Sequence, residues 1–271
     1  MIRFLILAGY FELTMYLQLS GKLNQYINLH YSYLAYISMF LSFVLALVQL
    51  IIWVKQMKIH SHLFGFWAKV ASIFLLCIPL FVGLFFPTVT LDSQTVSAKG
   101  YHFPVATGSS KKIQQDEGTT TQYLKPDTSS YFTKSAYESE MKQAAKKYVD
   151  KKVIQVTTEN YMEVMEVIYD YPDQFAGKTI ELTGFVYNDP NNKNSQFLFR
   201  FGIIHCIADS GVYGLLTTGA PQHFENNTWI HAKGTLSIEY HKQLKQSLPV
   251  LHISDCQTIT KPANPYVYRV F

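Results

Sequence analysis

Two stretches of this chain, residues 31–54 and 70–91, contain no charged side chain, whereas nearly all the Lys, Arg, Asp and Glu lie elsewhere. A helix rises ~1.5 Å per residue, so about 20 apolar residues cross the ~30 Å of hydrocarbon in a bilayer. Each stretch is long enough to do so. The second contains Pro79 and ends near Pro87, both tolerable in a membrane helix. An earlier apolar segment, residues 4–21, carries Glu12 at its middle and is expected to be a further span. Its charged start at Arg3 also resembles a secretory signal, but Glu12 interrupts the apolar run and no small-residue cleavage site follows. The expected organisation is a transmembrane region over residues 1–91, a linker and exposed helical stem over 92–150, and a soluble domain over 151–271.

Orientation follows from the basic residues of short loops, which concentrate on the cytoplasmic side. Lys55, Lys58 and Lys69 fall between the second and third segments, against Lys22 alone between the first and second. The amino terminus is therefore expected inside and the C-terminal domain outside. The formal net charge of +4 is spread over loops, linker and domain. Nucleic-acid binding calls for a concentrated basic stripe, so this distribution argues against it.

Residues 101–130 are rich in Gly, Ser, Thr, Gln and Lys, the composition of a tether. A helix is expected from Asn160, with Glu163 reaching back as a capping box. Tyr161, Val164, Met165 and Ile168 would form the packed face, while Glu163, Glu166 and Asp170 face away. Beyond Gly177 the apolar period becomes two. Strands are expected at 180–186, 196–208, 212–217, 230–238 and 250–259, with a turn at Asn188-Asp189-Pro190-Asn191-Asn192. Five short strands, with Gly184 and Gly234 where a small barrel must bend, point to an OB-like barrel with one preceding helix. A different small sandwich or barrel stands as the alternative.

Several short motifs together resemble the YcgQ-like family of bacterial membrane permease subunits, and the resemblance covers most of the chain. They are Ser20-Gly21-Lys22-Leu23 with Tyr26-Ile27-Asn28, Leu91-Asp92-Ser93 with Lys99-Gly100, and Gly184-Phe185-Val186-Tyr187. Arg200-Phe201 leads on to Cys206-Ile207-Ala208-Asp209 and Tyr213-Gly214-Leu215. The resemblance implies three spans, an external domain and a larger polytopic permease as partner, besides the lipid bilayer. It also marks a departure, because the family shows two adjacent cysteines where this chain has His205 and Cys206.

The sequence contains no phosphate-binding glycine loop after a strand, no HExxH or CxxC and no nucleophile elbow, so no enzyme activity is expected. His205, Cys206 and Asp209 offer imidazole, thiolate and carboxylate, ligands competent for a divalent metal such as zinc. Adjacent strand residues point to opposite faces, so a shared ion would need a bulge or a strand end. Further ligands would have to come from His231, His252 or Cys256. The alternative reading is a core Cys206 beside a solvated or hydrogen-bonded His205. Cys206 and Cys256 are also the two cysteines outside the apolar segments, and an external compartment would permit their disulfide. Glu12 is a candidate partner contact, since an ionisable group at mid-membrane is costly unless it meets a partner or a wet cavity. Its alternative reading is a neutral, hydrogen-bonded carboxyl near Gln18. The expected function is a membrane-anchored accessory subunit whose external domain contacts a permease or presents a ligand to it. The competing reading is an independent envelope metal-binding, small-ligand-binding or sensor protein anchored by its spans.

Overall fold

A computed structural model describes residues 1–57, 65–100, 134–189, 196–241 and 246–269. Lys58, the tether over 101–130 and the turn residues Pro190, Asn191 and Asn192 lie outside the described residues. The chain divides into two compact units, Met1–Thr90 and Leu91–Phe271.

The first unit holds three helices long and apolar enough to cross a membrane: α1 (Ile2–Leu19), α2 (Ser32–Val54, entered through a 3-10 turn at Leu29–Tyr31) and α3 (Phe66–Phe85). Helix α3 begins before the expected residue 70 and takes Lys69 into its first turns. It also ends well short of residue 91. Phe86 is extended because the ring of Pro87 disfavours helical geometry in the residue before it. Helix α1 packs against both α2 and α3. Two small residues let α1 and α3 approach closely: a Cβ on Gly9 would meet Leu80 at 3.0 Å, and one on Gly83 would meet Leu13 at 2.9 Å. Tyr10 Oη donates to the Leu76 carbonyl at 2.9 Å. That bond falls beside the Leu75 carbonyl, which Pro79, lacking an N–H, cannot satisfy. Most of the large apolar side chains of α2 and α3 face outward, among them Phe40, Phe74 and Phe85. Such a surface is costly in water and favourable in lipid.

The second unit is mostly β. It contains α4 (Ser93–Lys99), α5 (Lys134–Val149), β1 (Val153–Gln155), α6 (Tyr161–Asp170), α7 (Pro172–Phe175), β2 (Thr179–Asn188), β3 (Gln196–Ile203), β4 (Gly211–Thr218), β5 (Trp229–His241), β6 (Gln246–Thr258) and β7 (Tyr266–Tyr268). The strand order is β1-β2-β5-β6-β4-β3-β7, and β2 pairs additionally with β3. Five strands thus form a closed ring of ladders, antiparallel except between β4 and β6. The short strands β1 and β7 add in parallel to β2 and β3. Close approach explains two glycines of the ring: a Cβ on Gly184 would lie 2.7 Å from the Phe199 carbonyl oxygen, and one on Gly234, at a β-bulge, 2.3 Å from that of His252.

Helix α6 seats its apolar face on the core, with Tyr161, Val164, Met165 and Ile168 all buried. The expected capping box does not form. Asn160 Oδ1 accepts from Thr157 N, and the Glu163 carboxylate is taken by Tyr148 Oη (2.6 Å) and Lys147 Nζ (2.8 Å) of α5. Glu166, expected to face away, is buried with an Arg269 nitrogen at 3.8 Å. The helix expected as an exposed stem contributes Met141, Ala144, Ala145 and Tyr148 to the same core, and α4 contributes Val96. Strand β3 stops at Ile203 rather than running to Ala208, because the chain turns where Asp209 captures the next backbone N–H groups.

Arg200, on β3, is buried with only 3% of its surface exposed. Its guanidinium donates to the carbonyls of Asn264 (3.1 Å), Pro265 (3.2 Å) and Tyr266 (3.0 Å) and to Thr158 Oγ1 (2.9 Å). The Tyr161 and Trp229 rings lie 5.7 and 5.8 Å from it. Burial lowers its pKa from the ordinary arginine value, yet four acceptors and two ring faces hold the charge in place. One planar fork thereby ties β7 and the entry to α6 onto β3. Lysine supplies charge without the fork. Arg200→Lys is expected to cost about 2 kcal/mol and to lower the thermal unfolding midpoint by about 4–8 °C. Hydrogen exchange should show the protection of the Val267 amide lost first.

Candidate functional site

Two places carry the residues singled out by sequence, one in each unit. In the first, Glu12 lies near the middle of α1 and is exposed. Leu5, Met15, Tyr16 and Leu19 are also exposed, spaced three, four or seven residues from it along the same side of the helix. Among the described residues Glu12 has no hydrogen-bond or ion-pair partner. Gln18 does not supply one, and its own side-chain nitrogen is buried without an acceptor. A carboxyl on an outward face of an apolar helix is thus left to whatever surrounds the three helices.

In the second unit the turn after β3 brings His205, Cys206 and Asp209 together. Cys206 heads a short 3-10 turn over Ile207–Asp209, and its sulfur accepts from the Asp209 N–H. The Asp209 carboxylate accepts from His205 N (3.0 Å), Cys206 N (3.0 Å) and His205 Nδ1 (2.7 Å). The carboxylate is a cap that ends the strand, and the half-exposed imidazole lies over it. Sequence reasoning ran the strand on to Ala208, with a bulge or strand end as the condition for a shared ion, and did not foresee that Asp209 would be spent on backbone donors. The signal for it was the three-residue spacing between Cys206 and Asp209, the same spacing as a helix cap.

The further ligands considered from sequence go elsewhere. His231 Nδ1 meets Thr183 Oγ1 at 3.0 Å. His252 lies among Thr218 Oγ1 (2.8 Å), Ser237 Oγ (2.8 Å) and Glu239 Oε1 (2.6 Å). Cys256 stands opposite Ala232, its thiol pushed up by burial and then by the Asp255 charge. Among the described residues no group of three or more His, Cys, Asp or Glu is arranged to hold a metal ion. Cys77, Cys206 and Cys256 are free thiols. A cleft of about 270 Å3 opens beside α5 and α6, lined in part by Glu140, Glu159, Glu163, Glu166, Lys147 and Arg269. Glu163 is engaged by Lys147, and Glu166 faces Arg269.

Three candidate spans and a mostly-β second unit in one chain define a membrane protein with a separate β domain. The chain belongs to the DUF1980 family: the family's N-terminal domain matches residues 2–102 and its C-terminal domain residues 131–269. It is 67% identical, over 271 residues and the full length of both chains, to a Streptococcus mutans protein named "Putative two-component membrane permease complex subunit". It is 40% identical, again over the full length of both chains, to "UPF0703 protein YcgQ" of Bacillus subtilis. The YcgQ-like resemblance drawn from its motifs is therefore borne out. Among solved structures, asparaginyl-tRNA synthetase from Pyrococcus horikoshii aligns over 34% of this chain and 23% of its own, with 13% identity and a TM-score of 0.20. At that score the alignment carries no argument.

Proposed function

We propose that the protein is a membrane-anchored accessory subunit of a permease complex. In this reading its three helices dock laterally on a polytopic permease, and its β domain lies on the non-cytoplasmic side, contacting the permease or presenting a ligand to it. The observation that carries the reading is the outward, unpartnered Glu12. An ionisable group facing hydrocarbon costs several kcal/mol, on the order of 2.5–3.5 on insertion scales, and a donor from a second protein would remove that cost. The names carried by the relatives support the same assignment. A pure anchor needs one helix and no such carboxyl. We read the ring of β2 to β6 as an OB-like barrel on its pairing order: an antiparallel β2-β3-β4 meander, a parallel β4-β6 ladder, and closure through β5.

A photo-reactive residue at Met15 is expected to cross-link to a polytopic membrane protein identifiable by mass spectrometry. Glu12→Leu should lower that yield by at least about threefold, the size of an interhelical hydrogen bond in a membrane, and Glu12→Gln should lower it less. Equal yields from all three chains would leave the helices as an anchor only. Placement is tested separately. In a background without native cysteines, a membrane-impermeant thiol reagent should reach a cysteine at Gln94 in intact cells, but one at Lys55 only after permeabilisation. The reverse pattern overturns the orientation.

The gathering of thiol, imidazole and carboxylate at one turn supports the second reading, a metal-binding envelope protein using Cys206 with His205 or Asp209. Binding would displace the Asp209 cap and require ligands from outside the turn. Zinc titration of the purified chain would then release protons and raise the unfolding midpoint of the β domain. Cys206→Ala would abolish both effects. Neither effect in the reduced wild-type chain would assign the turn to capping alone.

A further inference from the structure

An open crevice also indents the first unit near the start of α1. It has a volume of about 530 Å3 and lies where the start of α1, the end of α2 and the first half of α3 meet. Its polar lining is Arg3, Gln49 and Gln56, and its apolar lining includes Ile2, Ile52 and Ile73. Gln49 and Trp53 are four residues apart, so one side of α2 presents them together, and Gln56 follows in the turn beyond the helix end. Trp53 also lines the crevice, at the helix end where aromatic rings sit at headgroup level.

Two groups in this crevice ask for an anion. Glu12 is the only acidic residue before Asp92, and it lies nine positions from Arg3, about 13 Å along the helix and beyond reach. Arg3 accordingly has no ion-pair partner among the described residues. Gln49 is a half-buried carboxamide inside the apolar helix, roughly 7 Å short of its end, and among the described residues it has no hydrogen-bond partner. Both would be poorly solvated against a hydrocarbon tail, and both donate hydrogen bonds. The end of the unit that holds the crevice also carries Lys55 and Lys69.

We propose that this crevice binds the headgroup of an anionic phospholipid. The phosphate accepts from the Arg3 guanidinium and the Gln49 amide, with the second N–H of the Gln56 amide, whose first goes to the Trp53 carbonyl at 3.0 Å, as a further donor, and one acyl chain lies along Ile2, Ile52 and Ile73. A cation with amide donors selects phosphate, and the apolar wall selects phosphate that carries a tail, so a lipid is favoured over the free ion. The site lies wholly within the three-helix unit and stands whichever reading of the whole protein holds.

The full chain, purified in an uncharged detergent, is titrated with phosphatidylglycerol or phosphatidylcholine, and bound lipid is counted by native mass spectrometry. One phosphatidylglycerol is expected to be retained in preference to phosphatidylcholine. Arg3→Gln should cut that preference by about fivefold, as loss of one interfacial cation does; Gln49→Leu should also reduce it. Lys22→Gln, which removes a cation from the other end of α1, should leave it unchanged. Equal retention of both lipids would overturn the proposal, and so would an equal loss with Lys22→Gln, which would indicate diffuse charge attraction. Displacement of the lipid by excess inorganic phosphate would overturn the acyl-chain part and make the site one for the free anion.

Discussion

Backbone pairing in the β domain closes on itself through β2, which hydrogen-bonds to β3 on one side and β5 on the other. Because of that double pairing, each of the five ring strands has a neighbour on both sides over part of its length, while residues 236–241 of β5 pair, among the described strands, with β6 alone. Closure dictates the details. Backbones must approach within van der Waals distance at Gly184 and Gly234, and the flat rings of Phe197 and Phe199 are buried, stacked with centroids 5.1 Å apart. Helix α6 then covers the core, and Arg200 fixes the last strand.

What could be read from sequence was whatever depended on one element's own residues. Long apolar runs, two of them free of charge, sufficed for the three apolar helices, and an apolar period of two or a short apolar run sufficed for the five ring strands. Where a residue had to choose between a local partner and a distant one, sequence misled. Glu163 is spaced correctly for a capping box, yet Tyr148 offers a buried donor from another helix and wins. Val149 and its neighbours in α5 look solvated because Lys and Glu dominate that stretch, yet small Ala144 and Ala145 let the helix sit close on the core. Short β1 and β7 carry too few residues for a period of two to be seen.

The candidate sites divide in the same way. That Glu12 was unusual followed from its apolar context; that it points outward followed from α1 lying against two helices, which sequence does not specify. The spacing of His205, Cys206 and Asp209 suggested a ligand cluster, but a carboxylate three residues past Cys206, at the head of a turn, meets backbone donors sooner than any ion. The lining of the crevice at Gln49 was missed because a single amide in an apolar helix carries no pattern.

The route of the chain around the ring also sets an order in time. Thr179 of β2 pairs with Thr235 of β5, and the acceptors that neutralise Arg200 lie at residues 264–266. The three apolar helices are complete by residue 85 and belong to a separate compact unit. Membrane insertion can therefore precede folding of the β domain, which must wait until residues 264–266 have been synthesised. During that interval the strands of the future ring are unpaired, which makes this the stage at which the protein is most exposed to proteolysis and misassembly.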